Sequence, residues 1–406
     1  MIKDVETDKK TDEKTNIETA AETDATGTMP GERMERADAA IRTMDYAAST
    51  VRTVSWTVQK ADGISVKPAQ EQDSCIQERK NRNRGQQLTI EQFLREKGCS
   101  HHVLTHLKRT DHGILKNGEW AYANQPLNTG DVVTVRVEET ENSDQISAVP
   151  LPLSIVYEDE DVLVVDKPCN MPVHPSMGNH ENTLANAVMY YYAEQERRFV
   201  FRCITRLDRD TTGLVLIAKN ALSGAILSSQ SSKRQVHREY LAVTEGILPE
   251  EGSIDAPIAR WQDSPLMRCV DYEHGERAVT HYQRLGVYQM PDEIYEEFFQ
   301  SRNLSGLQSD AGAAGCASKE MSLANVHLET GRTHQIRVHM KSIGHPLPGD
   351  FLYNPDSVCE FVPRQMLHAH RLTFAHPITG EPLVFESKMP PDMRRLLEIY
   401  QKLKTK

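Results

Sequence analysis

Residues Thr205-Arg206-Leu207-Asp208-Arg209-Asp210-Thr211-Thr212-Gly213 run directly into Leu214-Val215-Leu216-Ile217-Ala218. The second half is an uninterrupted apolar run entered from a polar segment, which predicts a short buried β-strand. The first half is dense in charge, with two aspartates and two arginines within five residues. A polar turn opening onto a buried strand holds its side chains at a sheet edge, on a rigid support. Taken alone, the same turn reads equally as a solvated, salt-bridged surface loop. The blocks around it decide between the two.

Working outward, Gly331-Arg332-Thr333-His334-Gln335-Ile336-Arg337-Val338-His339-Met340 is followed by Gly344-His345-Pro346-Leu347-Pro348-Gly349-Asp350. The spacing of Ile336, Met340 and Ile343 predicts a helix, with Thr333 placed to cap it and Gly344 then Pro346 to stop it. His334, Arg337 and Lys341 would share its polar face. These histidines have no acidic or thiolate partner at ligand spacing, so no metal is expected. Three further blocks stand in order along the chain. Asp161-Val162-Leu163-Val164-Val165-Asp166-Lys167-Pro168 leads into Val173-His174-Pro175. Then come Arg238-Glu239-Tyr240-Leu241-Ala242-Val243 and Leu367-His368-Ala369-His370, the last continuing to His376-Pro377 and Thr379-Gly380-Glu381.

Together these blocks resemble the RluA-type pseudouridine synthase family. Residues 206–213 fit its R-L-D-x-x-T-[ST]-G signature, and residues 331–339 fit G-R-x-H-Q-I-R-x-H at every position. The likeness spans about residues 150–395 and, more weakly, 52–140. Two positions depart from it: Thr205 stands where many members carry His, and Asn170 where Gly is usual. A left-handed backbone at 170 would explain the asparagine.

The resemblance implies an α+β fold, a large mixed and mostly antiparallel sheet with flanking helices and a cleft across its middle. It implies isomerisation of uridine in structured RNA to pseudouridine. The N-glycosidic bond breaks and the base rejoins through carbon, with no net redox change and no cofactor expected. Such chemistry needs a carboxylate near the ribose, to attack the anomeric carbon, take a neighbouring ribose proton or stabilise positive charge. The family's essential aspartate falls on Asp208, with Asp210 the rival, and its partner on Arg337, expected within ion-pair distance. Arg337 would otherwise be an ordinary residue on a polar helix face. Tyr240 is expected against the uracil; its plain reading is a strand tyrosine in the core. A stacked uridine must be flipped out to react. Arg206 either fills the vacated space or supports the Asp208 loop. His174, Arg332 and His334 are further candidate contacts. Two rivals stand beside this reading, a catalytically silent RNA-binding or ribosome-assembly protein on the same scaffold and a hydrolase using Asp208 with Asp210.

The N-terminal part is less informative. Residues 1–51 form an acidic tail, expected to be disordered, with 12 acids against 7 bases in the first 50 positions. Residues 52–140 resemble an S4-type RNA-binding module. A strand at 52–60 precedes a basic stretch with Arg79, Lys80, Arg82 and Arg84. Helices follow, from Leu88 to Gly98 and from Ser100 to Arg109, then an Asn117-Gly118 hairpin and a strand from Gly130. Lys108 and Arg109 are either phosphate contacts or a solvated face. Residues 141–153 read as a flexible linker, and 154–398 as the catalytic domain with a low-complexity insertion at 291–320.

The net charge is −11, of which residues 1–50 carry −5 and residues 291–320 carry −4, leaving −2 for the rest. Binding follows local surface charge, so the total neither supports nor excludes RNA. Seven scattered cysteines without a C-x-x-C pair argue against disulfides and structural zinc. No apolar run is long enough for a bilayer, and the first residues are charged, so a cytoplasmic location is expected; a monomer is expected as well. Large-subunit ribosomal RNA is the expected substrate, with transfer RNA open.

Overall fold

The computed structural model describes residues 50–59, 87–139, 141–176, 178–296, 318–358 and 362–402. The acidic tail up to residue 49, the basic stretch with Arg79–Arg84 and the body of the 291–320 insertion lie outside the described residues.

The N-terminal module contains β1 (Thr50–Thr57), α1 (Ile90–Glu96), α2 (His101–Arg109), β2 (Ile114–Lys116), β3 (Glu119–Trp120) and β4 (Val132–Glu139). Its strands form one sheet in the order β1-β4-β2-β3. Local signals set the helix ends. Thr89 and Gln92 make a reciprocal capping box on α1, and the Ser100 hydroxyl accepts from Val103 N at 3.2 Å at the start of α2. Asn117 and Gly118 have φ of 53° and 86°, the paired positive values a two-residue hairpin turn requires. Ile90, Phe93, Leu94, Leu104 and Leu107 are buried against Val133, Val135 and Val137.

The larger sheet is built from β5 (Ile155–Glu158), β6 (Val162–Lys167), β7 (Arg202–Cys203), β8 (Thr212–Ala218), β9 (His237–Glu245) and β10 (Glu251–Asp255). To these it adds β13 (Val279–Gln289), β14 (Glu320–Leu328), β15 (Leu367–Ala375), β16 (Pro382–Glu386) and β17 (Gln401–Lys402); β11 (Ile258–Arg260) and β12 (Arg268–Val270) pair separately. The main order is β10-β13-β14-β9-β15-β8-β6-β5. Every pairing is antiparallel except β8 with β15. Helices α3 (Leu184–Ala193), α4 (Ala221–Ser232), α5 (Gln335–Ser342) and α6 (Pro391–Ile399) flank it. The fold is the mixed, mostly antiparallel α+β architecture expected.

All seven residues of β8 are buried because the strand feeds two cores. Val215 and Ile217 pack with Leu184 and Val188 of α3, while Leu214, Leu216 and Ala218 pack with Leu227 of α4 and Phe374 of β15. Burial on both faces explains the unbroken apolar run. At its mouth Gly213 has φ 113°, and a Cβ there would stand 2.2 Å from the Ala369 carbonyl oxygen. Only glycine lets the parallel neighbour approach so closely.

Residues 141–153 do not form the flexible linker expected. Ser143 N donates to Phe199 O at 3.1 Å, Asn186 Nδ2 donates to Ser147 O at 2.8 Å, and Leu151 and Leu153 pack on the core of the larger sheet. Apolar residues set between the prolines give the segment a surface to bury. The module itself docks as well. Leu222 and Ile226 of α4 complete its core. Arg52 grips buried Asp161 at 3.1 and 2.6 Å. Glu139 bonds Arg202 at 2.8 Å and the Ala221 N–H at the start of α4 at 2.6 Å, where a carboxylate complements the helix dipole.

Candidate active site

The charged turn before β8 sits at the parallel seam in the middle of the sheet. Lys167, at the end of β6, is buried beneath it and donates to Pro168 O, Met171 O and Arg209 O at 2.8, 2.8 and 2.9 Å. Three carbonyls match the three donors of an ammonium group. Burial pushes the Lys167 pKa down to about 7, opposed by Asp210 and Asp208. Met171 N closes the loop onto Arg209 O at 3.1 Å, and Asn170 takes the left-handed φ of 55° anticipated for a glycine substitute. Thr205 is buried, and its hydroxyl accepts from Leu216 N at 2.9 Å, so this departure from the family pattern ties the loop to β8.

Arg337 arrives from α5. Its Nη1 donates to Asp208 Oδ2 at 3.1 Å, the ion pair expected. It is not on a polar surface face, however; only 2% of its side chain is exposed. The rest of the guanidinium is taken by Asp350, with Nε to Oδ2 and Nη2 to Oδ1 both at 2.7 Å. Asp350 is fully buried and also accepts from Leu352 N and Tyr353 N at 3.1 and 3.0 Å. The Tyr353 ring lies 5.0 Å from the guanidinium carbon. Burial works against the Arg337 charge, but the Asp350 and Asp208 carboxylates outweigh it and raise its pKa. The planar fork thus presents one nitrogen to Asp208 while two are locked behind it.

The start of α5 also differs from the reading above. Thr333 is exposed, and His334 is the N-cap residue, in the left-handed region at φ 59° without a side-chain cap. Gln335 organises the turn instead. Its Oε1 accepts from Arg332 N at 3.0 Å and Thr330 Oγ1 at 2.8 Å, while Nε2 donates to Val279 O at 3.0 Å. Ile336 and Met340 are buried as their spacing predicts, but Ile343 ends the helix exposed. A non-glycine residue held left-handed costs about 1–3 kcal/mol and persists where the surroundings over-determine it. Here His334 Nδ1 is 2.9 Å from the Tyr353 hydroxyl, and burial lowers its pKa.

Tyr240 on β9 pairs with Ala369 of β15 and Val326 of β14, which sets it beside the seam. It is 4% exposed, and burial raises its pKa. Arg206, Asp208, Tyr240, Arg332, His334 and Arg337 all line one cleft. Asp210 is not among the cleft-lining residues; its carboxylate is held by Arg209 at 2.9 Å. His174 is not among the cleft-lining residues; it lies edge-on to Phe201 at 5.2 Å, and partial burial with the Arg206 charge lowers its pKa. Lys108 and Arg109 belong to α2 in the N-terminal module, where Lys108 is paired with Glu91 at 2.7 Å. The sequence reading quoted Lys167, Arg238 and Asp350 inside its blocks but gave them no role. Arg238 lines the cleft with Tyr240, and its charge opposes the rise in the Tyr240 pKa that burial causes. A Cβ at Gly331 would stand 3.1 Å from a nitrogen of the Arg238 guanidinium, a tight approach that the arginine would have to relieve by a small shift.

A carboxylate, its guanidinium partner and a buried phenol around one cleft in mid-sheet suit chemistry at a sugar–base bond. Comparison with known proteins agrees. A family model described as RNA pseudouridylate synthase matches residues 161–342. The uncharacterized RNA pseudouridine synthase YjbO of Bacillus subtilis is 36% identical, over 77% of this chain and 99% of its own. Its YlyB counterpart in the same organism is 38% identical over 72% of this chain and 87% of its own. The ribosomal large subunit pseudouridine synthase D of Nitrosomonas europaea is 37% identical, over 68% of this chain and 73% of its own. The chain belongs to the RluA-type family of RNA pseudouridine synthases, enzymes that isomerise uridine within RNA. Among the described residues no helix is long and apolar enough to cross a membrane.

Proposed function

We propose that this enzyme converts specific uridines of large-subunit ribosomal RNA to pseudouridine, as a cytoplasmic monomer, with Asp208 as its catalytic carboxylate. The observation that carries the assignment is the Arg337–Asp208 ion pair inside the cleft that Tyr240 also lines. The anomeric carbon becomes electron-poor as the C1′–N1 pair leaves with the base, and Asp208 acts there. The base turns, C5 bonds to C1′, the C5 proton is lost and N1 gains one. Tyr240 lies against the uracil while that proton departs. Arg206 is exposed at the cleft mouth, and we assign it to the space the flipped nucleotide leaves. His174, Arg332 and His334 hold the nucleotide around it. Ribosomal RNA is favoured by the large-subunit synthases among the relatives and by the S4-like order of the N-terminal module, where Lys108 and Arg109 meet phosphate.

Pseudouridine maps of ribosomal and transfer RNA from cells with and without the gene test the substrate. A site lost from large-subunit RNA and restored by wild type but not by Asp208→Asn is the expected result. Full restoration by Asp208→Asn would remove the catalytic assignment. A site lost from transfer RNA alone would remove the ribosomal one, and free uracil on chromatography would replace isomerisation with hydrolysis.

A further inference from the structure

The N-terminal module leaves two large aromatic side chains in solvent. Trp120 is 54% and Tyr122 60% exposed, although the module has an apolar core that could have taken them. They are not scattered. Their ring centroids are 4.9 Å apart at 48°, and His112 meets the indole edge-on at 6.4 Å. The Asn117-Gly118 turn returns the chain as the edge strand β3, with Trp120 at its end opposite Leu115. Clustered exposed aromatics mark a surface that awaits a partner.

Beside them lies a groove of about 330 Å³, floored by Leu107 and Ile114 and edged by Lys108 and the Asn124 carboxamide. Glu91 is the carboxylate in its wall, and it is already held by Arg95 at 2.9 Å and Lys108 at 2.7 Å. Helix α2 carries His101, His102, His106, Lys108 and Arg109 and no acid anywhere along it, and of these Lys108 lines the groove. Asp111 and Glu119 are exposed nearby but do not line the groove.

We infer that this groove is a second nucleic-acid site, in which Trp120 and Tyr122 stack on one unpaired base of the RNA substrate. An aromatic face offers sequence-tolerant stacking, a carboxamide bonds a base edge, and a basic helix flank follows the phosphates. A base inside a duplex hides its faces, so the site selects a bulge, loop or single-stranded end. The inference rests on RNA being the substrate, and lies outside the catalytic cleft.

The test uses the full-length protein and fluorescence anisotropy with a labelled single-stranded oligoadenylate, which lacks uridine and is not turned over. Trp120→Ala should weaken binding by about 5- to 100-fold, and Trp120→Phe, which keeps a ring, by less than about 3-fold. Affinity for a blunt RNA duplex should be equal in all three proteins. Unchanged oligoadenylate binding by Trp120→Ala overturns the stacking site, and is what a protein-docking surface would give. An equal loss on duplex and single strand overturns it too. If wild type still modifies ribosomal RNA in either case, only this inference falls. Absent modification with the aromatic-dependent binding intact removes the proposed function instead.

Discussion

Asp350→Asn removes one charge and changes almost no volume, at a position that touches neither the cleft nor any substrate atom. The carboxylate holds two of the three donating nitrogens of Arg337 at 2.7 Å, in surroundings where both side chains are at most 2% exposed. A carboxamide offers one oxygen, so one guanidinium N–H loses its acceptor and the Asn NH2 faces another donor. Removing one partner of a buried pair costs about 3–5 kcal/mol; with Asp208 still in contact we take about 3. For a domain of this size that is a fall in Tm of about 6–12 °C. The catalytic consequence is separate. Asp350 sets where Arg337 Nη1 stands, and a shift of about 1 Å in such a group costs about 100-fold in rate. Turnover of an RNA substrate should therefore drop about 10- to 100-fold, with KM within about 3-fold, because RNA contacts the cleft and not Asp350. Calorimetry and single-turnover kinetics on the same preparation read both numbers. A variant that melts within about 1 °C of wild type and turns over within about 3-fold would show that Arg337 is placed without Asp350. A KM rise at constant kcat would make the residue part of RNA binding instead.

Tyr240→Phe should keep RNA affinity within about 3-fold and slow turnover by at least about 10-fold, since the ring stays packed and only the hydroxyl leaves; equal loss of binding and rate would contradict a role at the uracil. Lys167 gives a pH signature, because its folded pKa of about 7 lies below the ordinary 10.5. The unfolded chain binds the extra proton between those values, so this residue's contribution to stability is least below about pH 7 and grows as pH rises toward 10.5. The Tm difference between wild type and Lys167→Met should therefore move in favour of wild type across that window, and parallel curves would refute the depressed pKa.

Much of this protein was legible from local rules. The apolar run at Leu214–Ala218 reads as a buried strand, and it is one, covered on both faces. Ser100, Asn117-Gly118 and Asn170 declared their cap, turn and left-handed backbone, because each depends on a few neighbouring atoms, while the first helix, read from Leu88, is capped by Thr89. The order of the motif blocks named the residues that meet in the cleft. Local spacing failed where partners come from far along the chain. It set Arg337 on one polar helix face with His334 and Lys341, and only the family resemblance paired it with Asp208, because helical periodicity counts a charged residue as polar and cannot see Asp208, 129 positions away, or Asp350 closing over it. It assigned the helix cap to Thr333, whereas Gln335 anchors that turn through contacts to Val279 and Thr280, more than 50 residues earlier. It treated residues 141–153 as a tether, though Leu151 and Leu153 find a core only once α3 and its neighbours are assembled. Propensity and sequence order determined which groups this chain carries to the seam between β8 and β15. Burial, which depends on the whole packed sheet, decided which charges are neutralised there and which one nitrogen is left facing the carboxylate.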